Sequence, residues 1–107
     1  MFVIAGVVRV GEGQREALKP AIEAMETASR AEEGNVAYSF SFDCADPCGL
    51  RVFEHWQSDE ALAAHFAAPH MAAFQAALGE AGVQGADVLR YDVSSVGPLA
   101  GLRNAGS

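Results

Sequence analysis

The stretch Val36-Ala37-Tyr38-Ser39-Phe40-Ser41-Phe42-Asp43-Cys44-Ala45-Asp46-Pro47-Cys48-Gly49-Leu50-Arg51-Val52-Phe53-Glu54-His55-Trp56-Gln57 decides how this chain folds. Its first part alternates strictly, with Val36, Tyr38, Phe40 and Phe42 on one face and Ala37, Ser39 and Ser41 on the other, the period of a strand with one buried side. Cys44 to Gly49 carries Asp, Pro and Gly in turn order. Leu50 to Gln57 then reads as a second strand. Two strands joined by a tight turn must pair antiparallel, so residues 36–57 predict a β-hairpin.

Working outward, Phe2 to Arg9 is apolar and β-branched, and Gly11-Glu12-Gly13 ends it as a strand. From about Gln14 to Glu32 the apolar residues Leu18, Ala21, Ile22, Met25 and Ala28 fall three and four apart, one stripe of a helix. Pro20 lies inside that pattern and predicts a kink or a weakened first turn, while Gly34-Asn35 is a stop signal. After the hairpin, Ser58 can cap a helix whose first turn holds Asp59 and Glu60 and whose buried side is marked by Leu62 and Phe66. Pro69 opens a second helical piece, running to about Glu80 with Phe74 and Leu78 inward. Val88 to Val96 reads as the last strand. Residues 1–96 thus form one domain, and residues 97–107 an extended arm or frayed end.

The order is β-α-β-β-α-β, a ferredoxin-like α+β arrangement: a four-stranded antiparallel sheet with helices on one face. The other face should then be wet, yet the first strand is apolar on both sides, and the third and fourth place Phe53 and Leu89, Tyr91 opposite other apolar residues. A sheet apolar on both faces needs a second cover. The expected cover is another copy of the chain, two sheets back to back in a homodimer.

Composition sets outer bounds. The chain has 107 residues, 50% hydrophobic and 20% charged, with a formal net charge of −7. That fits one globular domain. No apolar run reaches the roughly 20 residues of a membrane span, and the start lacks the basic n-region and cleavage site of a signal peptide; the expected location is the cytoplasm. The seven cations are scattered, so neither nucleic acid nor an anionic membrane finds a basic patch. A small uncharged or weakly acidic organic ligand suits the chain better. Cys44 and Cys48 have neither the spacing of a redox pair nor that of a zinc set, and free thiols are expected.

Three segments carry a family resemblance: Glu32-Glu33-Gly34-Asn35-Val36-Ala37-Tyr38, then Phe53-Glu54-His55-Trp56-Gln57-Ser58-Asp59-Glu60-Ala61-Leu62, then His65-Phe66-Ala67-Ala68-Pro69-His70. Together they resemble the antibiotic biosynthesis monooxygenase (ABM) superfamily, quinol monooxygenase-like, and the resemblance implies the dimeric α+β barrel reached above from the strand pattern. It also implies several chemistries. Some members are cofactor-independent monooxygenases of quinols or phenols, others degrade haem, and others isomerise a phosphorylated autoinducer-2-type signal. Haem degraders carry an Asn on the first strand, absent here, and a charge of −7 disfavours haem propionates. Relatives of the isomerase carry a basic run before the last strand, where this chain has Gln84-Gly85-Ala86-Asp87.

The expectation is therefore a cofactor-free oxidation of a quinol or phenolic small molecule by O2. A non-catalytic, small-molecule-binding or stress-related barrel protein and the signal isomerase are the alternatives. Such oxidation needs an aromatic slot, a base and donors for an anionic oxygen. The slot candidates are Trp56, Tyr38, Phe40, Phe66 and Phe74, with Asn35 as a donor or simply a turn residue. His65 is the lead base, Glu54 its orienting acid, and His70 the second histidine of the pattern; each could instead be structural. Arg51 and Arg90 could hold an acidic group or form salt bridges across the dimer. No metal-ligand spacing, phosphate loop or dinucleotide fingerprint is visible, so neither a metal nor a cofactor is expected.

Overall fold

A computed structural model describes residues 1–101. The elements run β1 (Phe2–Arg9), α1 (Arg15–Arg30), β2 (Asn35–Phe42), β3 (Gly49–Trp56), α2 (Asp59–Phe66), α3 (Pro69–Ala81) and β4 (Gly85–Asp92). All neighbours in the sheet are antiparallel, in the order β2-β3-β1-β4. The ferredoxin-like α+β reading is correct, and the expected second helical region is two helices.

Register decides which side chains meet the helices. Pairing of Ile4 with Glu54, Tyr38 with Glu54, Phe40 with Val52 and Phe2 with Trp56 puts these on one face. Beneath the helices lies the core of Phe2, Leu18, Ile22, Met25, Tyr38, Leu50, Trp56 and Phe74. α1 carries the stripe expected of it, with Leu18, Ile22, Met25 and Ser29 buried. The helix is continuous through Pro20.

As an edge strand β2 would leave backbone groups unpaired. α1 supplies partners: the Phe40 N–H donates to Glu26 Oε2 at 2.8 Å, and Arg30 Nε donates to the Tyr38 carbonyl at 2.8 Å. At the other side β1 and β4 approach so closely that a Cβ on Gly6 would sit 2.1 Å from the Asp87 carbonyl oxygen. Only glycine allows that contact.

Four sequence expectations need correction. Val36 does not share the Tyr38 face. Asn35 pairs with Trp56 and Ala37 with His55, so Val36 is the extra residue of a β-bulge and is exposed. The buried side of α2 is set by His65, while Leu62 is half-buried and Phe66 is 59% exposed. β4 begins at Gly85 and ends at Asp92, not Val96. Arg51 and Arg90 find partners in their own chain: Arg51 pairs with Asp43 at 2.8 Å, and Arg90 with Asp59 at 2.6 Å while lying 3.8 Å over the Phe2 ring.

Beyond β4, residues 93–101 form neither strand nor helix. The rest of the expected arm lies outside the described residues. No helix among those described is long and apolar enough to cross a membrane.

Candidate functional site

The helix-facing side of the sheet holds two features separated by the Tyr38 and Trp56 rings. One is an apolar cleft of about 180 Å³ between the sheet and α3. Tyr38, Phe40 and Val52 form its floor, and Met71, Phe74 and Leu78 its roof; Glu54 and Gln75 add polar groups to the lining. A cavity of about 150 Å³ with apolar walls takes a benzene, so the cleft fits a single substituted ring.

Glu54 reaches this place because strand alternation puts it on the face of Val52 and Trp56. It is 9% exposed, and the Trp56 indole N–H donates to its Oε1 at 2.8 Å. Burial pushes the Glu54 carboxyl above the usual range, partly opposed by the Trp56 hydrogen bond and by His65. Its other oxygen makes no hydrogen bond among the described residues. Burial also pushes the Tyr38 hydroxyl well above its ordinary value, reinforced by Glu54, so it remains protonated.

The second feature lies behind those rings. His65 is fully buried, its ring centroid 4.8 Å from that of Trp56 and 5.2 Å from that of Tyr38. Its Nδ1 is 2.8 Å from Glu32 Oε1, and His70 Nε2 contacts the same oxygen. With the Nδ1 proton on the Glu32 side, the buried Nε2 has no partner among the described residues. Glu32 follows α1 in the turn that ends with Gly34, whose φ of +85° and 2.6 Å Cβ clearance from the Ala61 Cβ demand glycine.

The structure redistributes the roles expected from sequence. Tyr38, Phe40, Phe74 and Glu54 do meet at one cleft. Trp56 touches it only through Glu54, and neither His65 nor His70 borders it. Phe66 points away from the slot and is largely exposed. The carboxylate that holds His65 is Glu32, not Glu54. Asn35 turns inward, donating to the Ala37 carbonyl at 3.1 Å and stitching the bulge. Glu32 was not singled out, although it opens the Glu-Glu-Gly-Asn segment; nothing in its local spacing points at residues 33 and 38 positions away. Gln75 was likewise missed, since a lone amide on a helix carries no signal.

Comparison with known proteins agrees with the fold. Residues 1–77 match the family model described as antibiotic biosynthesis monooxygenase. Rv0793 of Mycobacterium tuberculosis is 38% identical over 66 residues, a stretch spanning 62% of this chain and 64% of that protein. Its solved structure superposes with a TM-score of 0.73, at 27% identity and 97% coverage of both chains. Structures from Deinococcus radiodurans (TM-score 0.82, 23% identity, 94% of this chain and 100% of that one) and Nitrosomonas europaea (0.81, 20%, 89% and 100%) share the fold. The motif segments, the ferredoxin-like sheet and the family match over residues 1–77 converge on one conclusion: this chain belongs to the antibiotic biosynthesis monooxygenase family.

Proposed function

We propose that the chain is a cofactor-independent monooxygenase of a small quinol or phenol, acting as a homodimer with Glu54 as its base. The observation that carries this reading is Glu54 itself: a buried carboxylate bordering a cleft of ring size whose walls, Gln75 apart, are aromatic and aliphatic. A carboxyl raised toward neutrality is a better base than an ordinary one, because its conjugate acid holds the proton it takes. Glu54 removes the proton of a ring hydroxyl, and the resulting anion is electron-rich enough to pass an electron to O2. Recombination and loss of water complete the oxidation. For a quinol the balance is quinol plus O2 giving hydroxyquinone plus water, the substrate supplying all the electrons.

Trp56 fixes the carboxylate through Oε1, and Gln75 can donate to a second ring oxygen across the cleft. His65 touches no cleft surface and acts as a positioning residue for Trp56 and Tyr38. Oxygen uptake with a panel of benzene and naphthalene hydroquinones, in the presence of a chelator and without flavin, tests the reading. Consumption above the buffer rate supports it. Saturable binding of the same compounds without uptake replaces it with the non-catalytic ligand-binding alternative.

The dimer is supported by the sheet face turned away from the helices. There Val3, Ala5 and Val7 of β1 lie beside Leu89 and Tyr91 of β4, which are 55% and 52% exposed, and Phe53 of β3. Such a contiguous apolar surface is unusual on a monomer. Light scattering giving the mass of two chains at micromolar concentration supports the homodimer; a monomer refutes it.

A further inference from the structure

We propose that Glu32, His65 and His70 form a binding site for a divalent transition-metal ion of the zinc class, separate from the cleft. Three groups of metal-ligand chemistry reach one point from three stretches of chain: the turn after α1, the end of α2 and the start of α3. One ligand atom from each of Glu32, His65 and His70 lies within 4.8 Å of the other two. Zinc–nitrogen and zinc–oxygen bonds of about 2.0–2.2 Å put tetrahedral ligands about 3.4 Å apart. Both Glu32 contacts, 2.8 Å to His65 Nδ1 and a closer one to His70 Nε2, fall short of that value, so the ligands would part by about 1 Å to admit the ion.

Chemistry selects the class of ion. Two imidazoles and one carboxylate suit borderline cations such as Zn²⁺ or Co²⁺, whereas Mg²⁺ and Ca²⁺ prefer oxygen donors. His70 is partly exposed and gives the ion a route in, with a water or hydroxide in the fourth position.

Metal on His65 Nδ1 moves the ring proton to Nε2, which has no acceptor among the described residues. Missing support of that kind weakens metal affinity by about 10–100-fold. The site is therefore expected to bind reversibly rather than to hold a permanent ion. Its ligands do not border the cleft, so binding does not rest on the oxidation proposed above.

The test is titration of the metal-stripped full chain with Zn²⁺ by calorimetry and with Co²⁺ by visible absorption. One ion per chain is expected, with affinity lowered at least about tenfold in Glu32→Gln and His70→Gln. Binding should survive in His55→Gln, whose ring lies on the opposite sheet face, and in the double variant Cys44→Ser/Cys48→Ser. Should the ligand variants fold poorly, ring NMR of the unaltered protein gives the same answer: Zn²⁺ should shift His65 and His70 and leave His55 in place. No binding, undiminished binding in both ligand variants, loss in the cysteine variant, or NMR shifts confined to His55 would each overturn the site.

Discussion

Trp56→Phe tests whether Glu54 is an ionised base held by an indole. The substitution removes the N–H that donates to Glu54 Oε1 at 2.8 Å and leaves a smaller ring in a fully buried place. A hydrogen bond to a charged group is worth about 1.5–3 kcal/mol, one between neutral groups about 0.5–1.5 kcal/mol. The void left by the smaller ring is common to any background, so a second background isolates the charge. In Glu54→Gln the amide oxygen still accepts from the indole but carries no charge. Trp56→Phe should therefore cost about 1 kcal/mol more in the unaltered protein than in Glu54→Gln at pH 8. For a domain of about 100 residues that is a difference of about 4–8 °C in melting temperature. The excess should vanish in acid, where Glu54 is protonated. Equal costs in both backgrounds at pH 8, by urea or thermal melts, would refute an ionised Glu54 held by Trp56.

Two further outcomes follow from the same structure. Because burial raises the Glu54 carboxyl above its unfolded value, the native state holds that proton more tightly than the unfolded chain, so ionising it opposes folding as pH rises. Glu54→Gln should accordingly be more stable than the unaltered protein above neutrality, with the gap closing below the unfolded carboxyl range; a gap independent of pH in melts from pH 3 to 8 contradicts the shift. Gly6→Ala places a Cβ 2.1 Å from the Asp87 carbonyl oxygen and 2.6 Å from the Val88 Cα. Overpacking of about 1–3 kcal/mol and faster hydrogen exchange along β4 are expected, and an unchanged exchange pattern would show that β1 and β4 do not pack this closely.

The strands were legible because alternation is a local signal. Tyr38, Phe40, Glu54 and Trp56 could be assigned faces from the spacing alone, and the structure places all four on the helix side. Val36 escaped because a bulge shifts parity by one residue, and bulges leave little trace in a short strand. α2 was misoriented for a different reason. Hydrophobicity favoured Leu62 and Phe66 as its inner side, but the pull of Glu32 and contact with the tilted Trp56 and Tyr38 rings bury His65 instead. A polar residue satisfied across 33 positions of sequence cannot be recognised from periodicity. The same holds for the exchange of partners at the site: Glu54 with Trp56 is an i, i+2 pair on one strand, whereas Glu32 with His65 and His70 exists only once the turn after α1 meets α2 and α3.

The most direct test of Glu54 as the base in the cleft is oxygen uptake by Glu54→Gln with a hydroquinone that the unaltered protein oxidises. Removing a general base typically costs 10²–10⁴-fold in rate. A loss of at least about 100-fold in kcat, with product-quinone binding retained, is what this account predicts. Turnover by Glu54→Gln within a few-fold of the unaltered protein would contradict it.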